Sequence, residues 1–266
     1  MRALRPALRA RLLPRLLPWL AAAWAELEAA VYPPLCWLCR ARPSVDGLGC
    51  AEHALAPCRF DPDQARCEGC AERLPAGVRT GPCAACRRRP RGFRRLLAAG
   101  PYRPEGALAQ WILALKHGGR AELDRPLAAF LAAALAPDAA PPRGVLLTSV
   151  PLHPLRRFER GHDQAARLAR ALAEELDRPY LATLRRRRWT PPQGAPGARS
   201  RGANVEGAFR LRPGSAARLE GRALWLVDDV VTSGATARAC AAELRRGGAR
   251  EVTVVALARV ERSANA

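Results

Sequence analysis

Lysine is almost missing from this chain. Of its 44 basic residues only Lys116 is a lysine; the others are arginine. Acids are scarce as well, 24 Asp and Glu in 266 residues, which leaves a formal net charge of +20 and a pI near 11.2. A drift of residue usage toward Ala, Arg, Pro and Leu accounts for arginine over lysine, but not for the surplus of positive charge. Such a surplus attracts polyanions: nucleic acid, phosphorylated metabolites or an anionic membrane. Long apolar runs are lacking too. The longest candidate, Leu16–Ala25, carries Pro18. It falls well short of the roughly 18 residues of a membrane-spanning helix, so stable membrane insertion is not expected. Nine cysteines are too few, and wrongly spaced, for a disulfide scaffold in a chain this long. Neither GxGxxG nor GxxxxGK occurs, so dinucleotide-binding and P-loop readings have no support.

What is present suffices for a buried core, since 49% of residues are apolar. Residues 1–32 read as a partly helical N-terminal extension. Its arginines alternate with leucines before the first acid, Glu26. That pattern also suits a targeting segment or an interfacial helix bearing Trp19 and Trp24, while Pro14 and Pro18 oppose one long regular helix. Residues 33–92 lose apolar periodicity. From 93 to 260, strand-like and helix-like segments alternate, and 261–266 is a short tail. Helices are expected over 105–116, 122–135, 163–176 and 235–246, the last ending at Gly247-Gly248. Buried strands are expected over 145–150, 223–227 and 251–258. Residues 185–204 read as a long mobile loop. The alternation predicts an α/β fold, a mainly parallel sheet with helices on both faces.

Segment 33–92 has no core of its own, so another agent must hold it. Three CxxC pairs lie there: Cys36/Cys39, Cys67/Cys70 and Cys83/Cys86, with Cys50 and His53 forming a CxxH. The result is two units, C-x2-C-x10-C-x2-H and C-x2-C-x12-C-x2-C. Structural zinc takes four thiolate or imidazole ligands, and a two-residue gap lets one tight turn present two of them. The segment is therefore expected to be a double zinc ribbon folded by one or two structural Zn2+ ions. Cys58 is an alternative to His53, and an interleaved pairing of the pairs stays open. Cys240 falls within a predicted helix and reads as core. Ligand thiols need a reducing compartment, hence the cytoplasm.

The most informative string is Val227-Asp-Asp-Val-Val-Thr-Ser-Gly-Ala-Thr236. An apolar strand runs into two acids, then a small-residue loop, then a helix. Amides of Thr232, Ser233, Gly234, Ala235 and Thr236 at a helix N-terminus suit a phosphate, and Gly234 permits close approach. Asp228 and Asp229 repel a phosphate but suit the hydroxyls of an attached sugar, or a metal-bound group. The expected ligand is a sugar phosphate.

This string resembles the phosphoribosyl-pyrophosphate (PRPP) signature of type I phosphoribosyltransferases, with Ser233 in place of a threonine. Further segments extend the likeness. Val150-Pro151-Leu152, Arg156 and Arg160-Gly161-His162-Asp163-Gln164 resemble a stretch of the ComF family. So do Thr190, Gln193, Arg199, Asn204 and Gly207-Ala208-Phe209, and Lys116 within LKHGG. The family's N-terminal double zinc ribbon matches the cysteine module. His162-Asp163 departs from the family's Phe-Asn, and Ala203 stands where an arginine is usual.

The resemblance implies a PRPP pocket, with Mg2+, at the carboxyl ends of the strands. Asp228, Asp229, Lys116 and Arg160 would be its catalytic residues. The 232–236 loop would hold the 5′-phosphate, and Arg156, Arg160 and Lys116 would face the pyrophosphate. Gln193 and Arg199 would close over the site. The family's competence link implies a second class of reading, a single-stranded-DNA-binding accessory protein partnered by a competence helicase or other DNA-processing proteins. Arg87–Arg89, Arg94-Arg95 and Arg185–Arg188 would then grip phosphates.

Overall fold

The computed structural model describes residues 24, 31, 34–88, 92–117, 120–136, 141–188 and 207–261. Most of the expected extension 1–32, together with Arg89, Thr190, Gln193, Arg199, Ala203, Asn204 and residues 262–266 of the tail, lies outside them. The chain divides into two compact units, residues 1–54 and 55–266.

In the first unit, Leu35 and Pro43 form an antiparallel bridge, and the Cys36 amide donates to the Arg42 carbonyl at 2.8 Å. Arg40 adopts φ 56°, which turns the chain back on itself. Asp46 Oδ1 accepts from the Leu48 and Gly49 amides at 2.9 and 2.6 Å. A Cβ on Gly49 would meet the His53 carbonyl at 2.3 Å, so only glycine lets these two segments pass.

The second unit runs α1 (Ala84–Arg88), β1 (Arg95–Pro101), α2 (Ala107–His117), α3 (Asp124–Leu135), β2 (Leu146–Ser149), α4 (Pro154–Arg160) and α5 (Gln164–Glu175). It continues with β3 (Leu184–Arg186), β4 (Phe209–Leu211), α6 (Ala216–Leu219), β5 (Ala223–Val231), α7 (Ala235–Arg246) and β6 (Glu251–Arg259). The main sheet has the order β1-β6-β5-β2, and every pairing in it is parallel. β3 and β4 form a separate antiparallel pair.

Strand alternation divides the core between the two faces. Leu224 and Leu226 of β5, with Val252 and Val254 of β6, pack with Ala237, Cys240 and Leu244 of α7 and with Phe209 of β4. Trp225, Val227 and Val255 therefore point to the opposite face, where α2, α3 and α5 pack on the sheet. Trp111 and Ile112 of α2 and Leu168 and Leu172 of α5 are fully buried. Each such side chain removed from water contributes roughly 1.5–3 kcal/mol. α5 starts where Asp163 Oδ1 accepts from the Ala166 amide at 3.1 Å, a side-chain cap for an otherwise unpaired donor.

The expected parallel sheet with helices on both faces is present. β5 runs further than expected, through Asp228 and Asp229 to Val231, because it pairs with β6 up to Val231–Arg259. Six elements have no counterpart in the sequence reading. The short α1, β4 and α6 are three of them. Of the others, the first is β1. The second is α4, where Pro154 fills the first turn and the His153 ring accepts from the Leu155 amide at 3.3 Å. The third is β3, which occupies the start of the stretch read as a mobile loop.

Candidate functional site

The four ligand atoms of Cys36, Cys39, Cys50 and His53 lie within 4.8 Å of one another, as do those of Cys67, Cys70, Cys83 and Cys86. Pairing thus follows chain order, and His53, not Cys58, completes the first group. A tetrahedron with zinc–sulfur bonds of about 2.3 Å has sulfur–sulfur edges of about 3.8 Å. Cys70 and Cys83 Sγ stand 3.7 Å apart, and His53 Nδ1 lies 3.6 and 3.2 Å from Cys36 and Cys50 Sγ. The donor sets therefore fit zinc. Burial works to raise the Cys36 thiol, but the amides of Cys39, Cys50 and Leu38 together bring it down to about 6. Burial likewise opposes the amides of Cys83, Cys70 and Gly69 at Cys67, which settles at about 7. Burial first of all pushes the partner thiols Cys50 and Cys70 the other way, so each group holds one thiol eased toward thiolate and one that gives up its proton to a metal. Cys58 lies instead in a short 3-10 turn, Ala56–Cys58, over β1. A Cβ on Gly100 would sit 1.8 Å from the Cys58 carbonyl oxygen. Cys240 is fully buried in the core, as the helix reading expected.

At the carboxyl end of the sheet, β5 leads through Thr232 and Ser233 to Gly234, whose φ of 73° lies in the left-handed region that favours glycine. α7 starts at the next residue, so the turn and the helix dipole face the same point. Ser233 Oγ accepts from the Ala235 amide at 3.3 Å. Two guanidinium groups lie behind the turn. Arg238 donates to the Ser233 carbonyl at 3.1 Å, and the buried Arg259 donates to the Val231 and Thr232 carbonyls.

The two acids occupy different surroundings. By strand alternation Asp229 faces α2 and α5, where Lys116 Nζ lies 3.1 Å from its Oδ1 and Gln164 Nε2 donates to its Oδ2 at 3.2 Å. Gln164 Oε1 is buried there with no hydrogen-bond partner. Asp228 faces the other way and accepts the Asp229 amide on Oδ1 at 2.9 Å. Burial, then the neighbouring Asp229, pushes its carboxyl up to about 8, against the pull of Lys116 and the Asp229 amide. Among the described residues, no group of three or more acids converges to cage a divalent cation.

The lone lysine is thus brought to the acids and spends its charge on Asp229. Arg160 lies close enough to His117 that, after burial, its charge and that of Lys116 hold the imidazole below its ordinary value. Arg156 of α4 acts in the same way on Arg186 of β3, whose guanidinium burial already depresses and Asp228 supports. Arg238, Arg259 and Gln164 are the site's unforeseen members, while Arg186 was expected only among the arginines that grip DNA phosphates. The signal for Gln164 was its place in the RGHDQ string; an arginine-rich background hid Arg238 and Arg259. His162 and Asp163 serve local structure. The His162 ring bonds the Leu115 carbonyl at 2.8 Å, and Asp163 caps α5 while accepting the Leu152 amide at 3.2 Å.

Among the described residues no helix is long and apolar enough to cross a membrane. No protein-family model matches the chain. It is 33% identical over 232 residues to DNA utilization protein YhgH of Escherichia coli (strain K12), covering 85% of this chain and 97% of that protein. It is 37% identical over 111 residues to competence protein F of Haemophilus influenzae, covering 41% of this chain and 48% of that protein. Among solved structures, glutamine PRPP amidotransferase from B. subtilis shows 21% identity and a TM-score of 0.36, over 54% of this chain and 30% of that one. A likeness so distant carries no argument about the site. The architecture is a four-stranded parallel sheet with helices on both faces, preceded in the chain by a cysteine module. With a relative a third identical and matched almost end to end, the chain belongs to the ComF family.

Proposed function

We propose that this chain binds PRPP or a related ribose 5-phosphate ligand, in the service of DNA utilisation. One observation carries the reading: β5 delivers two acids to a left-handed glycine turn that opens directly into the N-terminus of α7. The turn suits the 5′-phosphate, whose charge the helix dipole and the outward amides favour. Asp228 suits a ribose hydroxyl. The orphaned Gln164 Oε1 invites a donor as well, because a buried acceptor left unpaired costs about 1–3 kcal/mol. Arg156, Arg160 and Arg186 supply the cationic side that a pyrophosphate needs. Gln193 and Arg199 are retained as candidate contacts from the chain between β3 and β4.

If transfer occurs, the C1–oxygen bond breaks, the electron pair leaves with pyrophosphate, and an incoming nucleophile's pair forms the new bond at C1. Positive charge then develops on the ribose and negative charge on the leaving group, so the protein acts by positioning and charge stabilisation. Mg2+ would arrive on the pyrophosphate; no side-chain role here depends on it. Zinc would be held by the two cysteine groups and supply the folding energy that segment lacks. None of the nine cysteines is in a disulfide, and reduced cysteines suit the cytoplasm.

A second reading has its own support. Phe158 on α4 is 89% exposed, with Arg157 and Arg160 on the same short helix. An exposed ring among arginines is a stacking platform for single-stranded nucleic acid. The relative's name, DNA utilization protein, favours the same partner.

Calorimetric titration with PRPP and with ribose 5-phosphate tests the pocket. Wild type is expected to bind both, and at about pH 9, where Asp228 is ionised, Asp228→Asn is expected to bind about ten-fold more weakly, the scale of one lost charge-assisted hydrogen bond. A wild-type protein that takes up neither ligand removes the pocket and leaves the DNA-binding reading in front.

A further inference from the structure

We infer that Arg259 is a positioning residue that hangs the anion-binding turn from the second cysteine knuckle, so that metal at Cys67, Cys70, Cys83 and Cys86 sets the turn's grip on a phosphate ester. The inference rests on the reading of the 232–236 turn as a phosphate site.

The geometry is local and explicit. Arg259 ends β6 and is 2% exposed. Its guanidinium donates to the Val231, Thr232 and Val260 carbonyls on one side. On the other side its Nε donates to the Cys70 carbonyl at 3.1 Å, and an Nη pairs with Glu72 Oε2 at 2.9 Å. Cys70 is a ligand residue, and Glu72 is two residues beyond it. The knuckle is fixed in turn by the Ala71 amide on the Cys67 carbonyl and the Cys67 amide on the Glu72 carbonyl, both 2.8 Å, with Ala71 at φ 55°. The Leu96 amide of β1 donates to the Gly69 carbonyl at 3.2 Å, seating the knuckle on the sheet edge.

The consequence for the turn follows from the peptide bond. In a trans peptide the carbonyl of one residue and the amide of the next point in opposite directions. Drawing the Val231 and Thr232 carbonyls toward Arg259, and the Ser233 carbonyl toward Arg238, turns the amides of Thr232, Ser233 and Gly234 the other way. These are the donors that a phosphate would meet. A buried ion pair is often no more stabilising than apolar residues of the same volume. A five-donor fork here gains its value from fixing several carbonyls at once, which a lysine ammonium with three donors cannot do.

Hydrogen exchange of the 232–236 segment in the metal-loaded full chain reads the coupling without any ligand, and ribose 5-phosphate calorimetry reads it with one. Cys83→Ser, Glu72→Gln and Arg259→Ala are each expected to speed exchange in that segment while the β5 core 223–227 stays protected. Ribose 5-phosphate affinity should fall on the order of ten-fold, within the usual range of site-to-site coupling. Arg259→Lys should not restore it, whereas millimolar guanidinium added to Arg259→Ala should. Cys39→Ser, which disarms the first cysteine group, should leave the segment unchanged. Unchanged exchange in all three variants overturns the coupling, as does full rescue by lysine. Wild-type protein that binds no ribose 5-phosphate, yet shows the exchange changes, overturns the phosphate reading while upholding the mechanical link.

Discussion

Asp228 and Asp229 are adjacent in the chain and separated by the sheet, since successive strand side chains point to opposite faces. Asp229 is neutralised by Lys116, so it holds an ordinary ion pair in a buried setting. Among the described residues Asp228 makes no such ion pair. Burial and Asp229 raise it to about 8, with Asp163 adding to the push and Lys116 opposing it. The sign for stability follows. A free aspartate titrates near pH 4, so the folded chain keeps a proton that the unfolded chain has lost. This group's contribution is complete below about pH 4 and is lost as pH rises toward 8. Binding runs the other way, because a ribose hydroxyl donates best to an ionised carboxylate. Between about pH 7 and about pH 9 a phosphate monoester is already a dianion. Ribose 5-phosphate affinity is therefore expected to rise several-fold across that interval in wild type and to stay flat in Asp228→Asn. Parallel pH profiles of the two proteins in calorimetry would show that Asp228 takes no part.

At the scale of elements, what could be read depended on whether local pattern and tertiary context agree. α7 spans Ala235–Arg246 as expected, because its apolar spacing, small-residue start and Gly247-Gly248 stop all point one way. β5 was legible only to Val227; two acids have low strand propensity, and pairing with β6 overrides it. β3 was illegible because two of its three residues are arginines, and only its partner β4 makes it a strand. The cysteine spacing made the ligand sets legible except at one position. Between His53 and Cys58 sequence gave no decision, since both follow Cys50 within reach of a turn. Folding decides it: Cys58 lies over Gly100 of β1, while the His53 ring faces Cys36 and Cys50. Purified protein is accordingly expected to carry two zinc ions per chain. His53→Ala should lower that number by one, and Cys58→Ser should leave it unchanged, as measured by elemental analysis after gel filtration. Loss of zinc on Cys58→Ser would reverse the assignment.

For the molecule as a whole, a net charge of +20 acts at longer range than any single site. Screening limits that range to about 8 Å at physiological salt, so the charge speeds encounter with polyanions and weakens steeply as salt rises. Backbone neutralisation makes log affinity for a single strand fall linearly with log salt, by about 0.7 per phosphate engaged. Stacking on an aromatic ring adds a term that salt barely touches. The two contributions separate by mutation. Arg157→Ala should weaken binding of a single-stranded oligonucleotide and flatten the salt slope. Phe158→Ala should weaken it about five-fold or more with the slope unchanged, because a ring worth about 1–3 kcal/mol of stacking carries no charge. Neither substitution touches the 232–236 turn, so ribose 5-phosphate affinity should hold in both. A Phe158→Ala protein that binds the oligonucleotide as wild type does, over the whole salt series, would reduce the DNA affinity to undirected charge and strip α4 of a specific role.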